Sequence, residues 1–341
     1  MTSGPAVVVT GANGRIGRHV VTHLVESGYD VIGLDVHPEP VVEHGRYLSR
    51  RLEEIAAADL AGVGAVVHLG AVQSWDDGRR DDIFSANVRG TYRLLEAAVA
   101  SGSVRRVVFA SSGEVYPETN PQFQPIDESH PRLPTSFYGM TKVLGEEMLG
   151  FYARRHGLEA VVARLCHVQD PVDMLDPTAT AEGPRRFLLR QRLEQERRRD
   201  PESAATRALS ALDDGTDRLL VIERADGGRV RMGILAPQDI AVGLRLAMEL
   251  PAAVGQTFGL GPDESIDLAE FTRRLGEAAD LPVVTATLDS PEVDYWTLNA
   301  RARELLGFRP EVGYDGLVER AARARERRRA GRATPGLDTR S

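Results

Sequence analysis

A doubly wound α/β fold, a parallel sheet covered by helices on both faces with a smaller mixed α/β region following it in sequence, is what this chain predicts. Three observations carry the prediction. Short, continuously apolar runs alternate with amphipathic helical segments through the first half, the pattern of strands buried on both faces. A glycine-rich turn joins the first strand to the first helix, and an aspartate follows the second strand. Beyond residue 165 the alternation loosens into shorter, more charged elements.

Taken in order, a strand over 6–10 precedes a helix over 15–27, and a second strand covers 30–34. A strand at 65–69 precedes a helix at 82–100, a strand at 104–110 precedes a helix at 136–156, and 159–165 supplies a further strand. Next, 170–184 carries three prolines and one glycine, and 185–199 reads as a charged helix with Phe187, Leu188, Leu189 and Leu193 as its apolar positions. Arg185, Arg186, Arg190 and Arg192 on it suit either a diphosphate clamp or a solvated face. Strands are expected at 219–223 and 229–234, flanking Asp226-Gly-Gly228. A helix at 237–250, a strand near 257–260, a helix at 268–279 and a last helix after Tyr314 complete the pattern. The tail from Ala324 shows no apolar face and is expected to be disordered. The domains are therefore 1–165, 166–323 (some of whose segments return to the first) and a basic tail at 324–341.

Composition narrows the partners. With 341 residues, 42% of them hydrophobic, the chain can bury a full core. Its net charge of −8 points away from nucleic acid and from anionic membrane surfaces. The single cysteine, Cys166, excludes an intrachain disulfide and a thiolate metal cage, so no metal is expected and a reducing compartment fits. No charged segment precedes the first apolar run, and no apolar stretch reaches about 18 residues, so neither a signal peptide nor a membrane span is expected and the cytoplasm is the default.

The turn reads Thr10-Gly11-Ala-Asn13-Gly14-Arg15-Ile16-Gly17. Glycines there permit a tight turn, close approach of backbone to a pyrophosphate and tight helix packing, while the helix N-terminus offers free N–H groups. Asp35 ends the second strand at the expected distance of about 20 residues, where a carboxylate accepts ribose hydroxyls and repels a 2′-phosphate. The expected fold is thus Rossmann-type and the expected cofactor NAD. Arg15 and His37 nearby would favour the 2′-phosphate instead.

Of 42 basic residues one is a lysine, Lys142, four positions after Tyr138. An arginine bias this strong should have replaced every lysine that arginine can substitute. The two cations differ, because ammonium is compact with a tunable pKa and guanidinium is a planar fork that stays charged. Residues i and i+4 share a helix face, so the ammonium can lie beneath the phenol and lower its pKa, as a general acid/base requires. The alternative is a surface lysine that escaped replacement.

Together with His68-Leu69-Gly70-Ala71, Asn87-Val-Arg-Gly-Thr91, Ser111-Ser112-Gly-Glu114-Val-Tyr116, Gln238-Asp239-Ile-Ala241, Gly255-Gln-Thr-Phe-Gly-Leu-Gly261 and Leu305-Leu-Gly-Phe-Arg-Pro310, these motifs resemble an extended short-chain dehydrogenase/reductase, specifically the NAD-dependent nucleotide-sugar epimerase and dehydratase group. The resemblance implies that Tyr138 takes the proton of a sugar hydroxyl, that Ser112 binds that hydroxyl and that Lys142 holds the ribose. Leu69, Gly70 and Ala71 would border the cofactor, Asn87 would lie on the cofactor side, and Gln73 would touch substrate. Asn87 can also be read as a helix cap. Ser111 is a structural strand-end hydroxyl on this pattern. Glu114 stands where related dehydratases and decarboxylases carry a carbon acid/base, and it can equally be a solvent-facing or capping residue. By the same resemblance the helices at 82–100 and 136–156 pair across a two-fold axis in a homodimer.

The chain departs from the pattern in its second half. Leu165-Cys-His167-Val-Gln-Asp-Pro171 replaces an Asn-containing Tyr-Gly-Pro turn, which leaves His167 as either a substrate contact or a structural residue. Arg231 stands one position from the usual phosphate-binding arginine, and Tyr47-Leu48-Ser49 replaces an adenine-contacting aspartate. The expected function is NAD-dependent modification of a nucleotide-linked sugar through transient oxidation to a keto-sugar, followed by epimerisation, dehydration or decarboxylation. A sugar or polyol dehydrogenase that releases NADH is the alternative within enzymes, and a non-catalytic dinucleotide sensor the alternative outside them.

Overall fold

A computed structural model describes residues 6–42, 45–74, 76–117, 120–179, 182–288 and 294–331. The chain forms two compact units. The first comprises residues 1–166, 237–263 and 297–309, and the second 167–236, 264–296 and 310–341.

The first unit is built on a seven-stranded sheet of β1 (Ala6–Thr10), β2 (Val31–Asp35), β3 (Arg46–Ser49), β4 (Val63–His68), β5 (Arg106–Ser112), β6 (Glu159–Leu165) and β7 (Thr257–Leu260). All pairings are parallel, in the order β7-β6-β5-β4-β1-β2-β3. The order reverses between β1 and β4, and the carboxyl ends of strands at such a switch point frame a ligand crevice. β1 and β2 are buried along their whole length, which is why they read as unbroken apolar runs. β3 is an edge strand of Arg, Tyr, Leu and Ser, only half buried, and offers no apolar run to read.

Three helices matter for the site: α1 (Gly17–Glu26), α2 (Gly90–Ser101) and α3 (Phe137–His156). Ser136 caps α3 by accepting the Gly139 N–H at 2.9 Å. The helix sits unusually close to β5, since a Cβ at Gly145 would lie 2.4 Å from the Phe109 ring. Val8, Ile32, Leu34, Val66, Leu94, Phe109 and Leu149 belong to the core between these layers.

In the second unit, Leu219–Arg224 and Val283–Leu288 pair in parallel. The strands expected to flank Asp226-Gly-Gly228 therefore do not pair with each other; Arg231–Met232 instead joins Ile266–Asp267, and Ile234–Leu235 joins His167–Val168. The helix expected at 185–199 is broken into Glu182–Phe187 and Leu189–Arg199. Leu188 between them is extended (φ −98°, ψ 125°) and bridges Leu219, so that Phe187, Leu188 and Leu189, which no single helical stripe could bury, are all buried. A further helix, Ala204–Leu212, has no counterpart among the elements expected from sequence.

The tail prediction also needs correction, because Gly313–Arg329 is one helix. It buries Leu317, Val318, Ala321 and Ala324, a stripe ending in small alanines that composition hides. Arg325 donates to the Ala279 carbonyl at 3.0 Å and Arg328 to that of Val172 at 2.7 Å. Residues 332–341 of the expected disordered tail lie outside the described residues. No helix among the described residues is long and apolar enough to cross a membrane.

Candidate active site

The glycine turn meets the loop after β4 backbone to backbone. A Cβ on Gly11, whose φ is +66°, would fall 2.9 Å from the Gly70 Cα, and one on Gly17 would fall 1.9 Å from the Gly11 carbonyl oxygen. Side chains are thus excluded where a pyrophosphate has to approach, with Gly14 exposed and Arg15 and Ile16 half-buried at the start of α1. Asp35 is buried at the end of β2, and its carboxylate accepts the Asn13 N–H at 3.0 Å and the His37 N–H at 3.3 Å. Those two bonds fix its orientation and leave lone pairs for a ribose diol. The cradle therefore suits a dinucleotide with an unmodified ribose.

Asn13 also organises the cradle. Its side chain donates to the Glu39 carbonyl (2.8 Å) and to the Tyr47 hydroxyl (3.0 Å) and accepts from the Val41 N–H (2.9 Å), stitching the loop after β2 onto the glycine turn. Tyr47, marked in the sequence only as standing where relatives carry an adenine-contacting aspartate, joins this site. Its phenol donates to the His37 carbonyl at 2.8 Å and is pushed up to about 12, by burial and by the Asp35 charge, against the pull of Asn13. The phenol thus stays neutral and closes the loop.

Tyr138 and Lys142 stand one turn apart on α3, both buried. The phenol is hydrogen-bonded with the Ser112 side chain. Burial raises its pKa well above the ordinary value, the Glu114 charge raises it further, and only the Ser112 bond pulls it down. The ammonium donates to the Ala110 carbonyl at 2.9 Å and lies 5.0 Å from the centre of the Phe109 ring and 5.5 Å from that of Tyr138. Burial lowers its pKa to about 8, opposed by Glu146 and Glu114.

Ser112 ends β5 and caps the short turn Gly113–Val115, accepting the Glu114 N–H at 3.1 Å. Glu114 is buried, not solvent-facing, and its Oε2 accepts from the Ser136 hydroxyl at 2.6 Å. Its backbone carbonyl lies 2.2 Å from where a Cβ on Gly139 would sit. The turn after β5 and the first turn of α3 are locked together, which brings Ser112, Glu114 and Tyr138 into one site.

Ser111 points the other way, donating to Glu146 at 2.6 Å, as a structural strand-end hydroxyl should. Glu146 also receives both arms of Arg164 at 2.9 and 2.7 Å, and Arg164 donates to the Tyr116 hydroxyl at 2.6 Å. Tyr116 is therefore part of a buried polar network beneath the site. Asn87 lies buried inside a π-helical turn, Ser85–Arg89, and is not a helix cap. Its side chain grips both the N–H and the carbonyl of Val72 (2.8 and 3.0 Å) and donates to Thr141 on α3 (3.0 Å). Gln73 is exposed just beyond. His167 and Arg231 belong to the second unit, where the His167 ring packs 5.5 Å from Tyr295 and the Arg231 side chain is exposed. Of the four arginines that suited either a clamp or a solvated face, Arg190 pairs with Asp213 and Arg192 with Glu196 within that unit.

The family model described as the NAD dependent epimerase/dehydratase family matches residues 7–256. The chain belongs to that family. The cradle and the Tyr138–Lys142 helix are the parts of this chain that suit it to the NAD-dependent chemistry by which that family is described. It is similar to a UDP-glucose 4-epimerase of Mycolicibacterium smegmatis, 30% identical over 328 residues that make up 89% of this chain and 93% of that one. A crystal structure of a short-chain dehydrogenase/reductase superfamily protein from Agrobacterium tumefaciens with bound NAD superposes with a TM-score of 0.88 at 41% identity, covering 96% of this chain and 98% of that one. An L-arabinose 1-dehydrogenase (NAD(P)(+)) of Haloferax volcanii is 35% identical over 170 residues, 47% of this chain and 65% of that one. Over that relative and three other curated ones the match spans 58% to 65% of the relative's length.

Proposed function

We propose that this family member converts a nucleotide-linked sugar through a transient keto-sugar, with NAD retained through turnover, and that Glu114 moves a second proton at the carbon beside the carbonyl. One observation carries the reading: a buried carboxylate, held by Ser136, acts electrostatically on the same phenol that Ser112 orients. A simple dehydrogenase needs one proton-handling group, and this site holds two.

NAD, when bound, accepts a hydride from the carbinol carbon and returns it later. The chain's own residues handle the protons. Ser112 orients the sugar hydroxyl, and Tyr138 takes its proton as the carbonyl forms. The new carbonyl acidifies the adjacent C–H: Glu114 can remove that proton to epimerise the carbon or to eliminate a hydroxyl of the next carbon as water, and it can protonate the same carbon when a carboxylate there leaves as CO2. After epimerisation or decarboxylation Tyr138 gives its proton back to the oxygen as the carbinol is restored; after elimination the hydride would go to the new double bond and the carbonyl remains. The near full-length likeness to a UDP-glucose 4-epimerase supports a nucleotide-linked substrate. The absence of the Asn-containing Tyr-Gly-Pro turn, together with the half-length likeness to L-arabinose 1-dehydrogenase, favours the second reading, a sugar dehydrogenase that releases NADH. Denaturing freshly purified protein and weighing the released molecules by mass spectrometry separates the two. Near-stoichiometric NAD supports retention, whereas empty protein that accumulates NADH with free sugars supports the dehydrogenase.

Glu114→Gln tests the second proton. The amide keeps an oxygen for Ser136 but removes the charge, so the first half-reaction should persist, with reduced cofactor accumulating, while product formation falls about 100-fold. Because Glu114 raises the Tyr138 pKa, its removal should move the alkaline-rising limb of the pH profile to lower pH. Unchanged product formation, with only that shift, would reduce Glu114 to an electrostatic neighbour.

We also propose a homodimer in the cytoplasm. Leu144 and Phe151, seven residues apart and so on one face of α3, are 37% and 52% exposed, and Phe84 and Tyr92 on the neighbouring helical segment are 40% and 44% exposed. Sedimentation equilibrium should give a dimer for the native chain and a monomer for Phe151→Asp; a monomer for both would remove this assignment.

A further inference from the structure

A directional hydrogen-bond chain runs from the glycine turn to the catalytic helix, and the reaction described above does not use it. It starts at the loop after β4, where the Gly70 N–H donates to the Thr10 hydroxyl at 2.9 Å. Thr10 Oγ1 lies 2.7 Å from His68 Nδ1, His68 Nε2 lies 2.9 Å from Thr91 Oγ1, and Thr91 donates to the Asn87 carbonyl at 2.6 Å. The Asn87 amide donates to Thr141 at 3.0 Å, and Thr141 donates to the carbonyl of Tyr138 at 2.7 Å. Thr91 has spent its hydrogen on Asn87, so Nε2 must carry the imidazole proton and Nδ1 must accept from Thr10. Every polar atom of the buried ring is then satisfied in one tautomer only.

The ring is held neutral. Burial, with the Lys142 charge added, lowers its pKa to about 3. A second path leaves the same ring through packing. His68 lies 5.5 Å from the Phe109 ring, which sits beneath the Lys142 ammonium and fills the space that a Cβ on Gly145 would need. His68 thus touches both the cofactor cradle, through Thr10 and Gly70, and the helix carrying Tyr138 and Lys142, through Thr91 and Phe109.

We propose that His68 is a positioning residue for the redox step, setting the register between the glycine turn and the Tyr138–Lys142 helix so that cofactor and phenol meet. The inference rests on the redox role assigned to Tyr138 but not on the identity of the sugar. Thr91→Val breaks the chain by removing a buried hydroxyl held between His68 and the Asn87 carbonyl, and Thr91→Ser keeps that hydroxyl. The probes are the affinity for NAD by calorimetry and the titration of Tyr138 with and without NAD, read as a difference against Y138F. Thr91→Val should weaken NAD binding about tenfold, the consequence of one buried donor left unpaired. It should also shrink the NAD-induced lowering of the phenol pKa, and Thr91→Ser should restore both. A Thr91→Val protein with native affinity and a native shift, or a serine variant no better than the valine one, overturns the proposal. A change in melting temperature alone overturns it as well. Should Thr91→Val fail to fold, His68→Gln, whose amide can still donate to Thr91 while losing the Nδ1 acceptor, is read by the same two measurements and judged by the same outcomes. The NAD released from denatured native protein tests the sugar reaction separately, so the two can fail independently.

Discussion

Tyr138→Phe stops turnover while the protein still folds and binds NAD: a loss of about 1,000-fold in kcat is expected, within the span general acid/base groups supply. The change removes one hydroxyl whose identified partner is the Ser112 side chain, and leaves the ring between the ammonium and the β5 turn. Folding should therefore suffer little. A related measurement addresses how the phenol becomes a base. Burial and Glu114 keep it protonated in the free chain, the form that donates to a carbonyl oxygen. Turning it into a proton acceptor requires a positive charge beside it, and oxidised NAD carries one. The titration difference between the native chain and Tyr138→Phe should therefore show the phenol falling when NAD+ is added and falling less with NADH. Equal effects of the two cofactor forms would locate the lowering charge elsewhere, and native turnover by the phenylalanine variant would remove Tyr138 from the chemistry.

Lys142→Arg is expected to cost about 100-fold or more in turnover although the charge is conserved, because the two cations differ in shape and hydration. The ammonium fits a buried space bounded by the Ala110 carbonyl and by the Phe109 and Tyr138 rings. A guanidinium there brings five donors, with the Ala110 carbonyl as the acceptor already in use, and pushes Phe109 toward His68; overpacking of this kind costs about 1–3 kcal/mol. Lys142 also titrates within reach of experiment. Burial lowers it to about 8, so the ammonium is complete below that pH and is lost as pH rises through it. Turnover that depends on the cation should decline above about pH 8 in the native chain. Full activity in the arginine variant, with the same alkaline decline, would show that this position was a replaceable cation after all.

Much of the site was legible because its signals are local. The turn from Gly11 to Gly17, Asp35 after one short strand, and a tyrosine and a lysine one helical turn apart are patterns confined to a few residues, and the structure places them as expected. The parallel sheet was legible for the same reason, since a strand buried on both faces must be apolar throughout. What was misread depends on neighbours far along the chain. Leu188 leaves the helix because Leu219 offers a bridge, and Ala321 and Ala324 mark a buried stripe only because other parts of the second unit cover them.

The sequence by itself determined the fold class, the dinucleotide turn and the residues able to move a proton, because backbone geometry and side-chain chemistry at short range allow few alternatives. Only the tertiary structure decided what each of those residues does. Ser136 meets Glu114 across 22 positions, Lys142 reaches Ala110 across 32, and Thr10 meets His68 across 58. The first two make Glu114 a buried carboxylate and give the ammonium a carbonyl acceptor beside the phenol ring, and contacts to Val72 and Thr141 make Asn87 a clamp rather than a cap. The physical reason is that desolvation and hydrogen bonding set a group's charge and role, and both are properties of the folded surroundings.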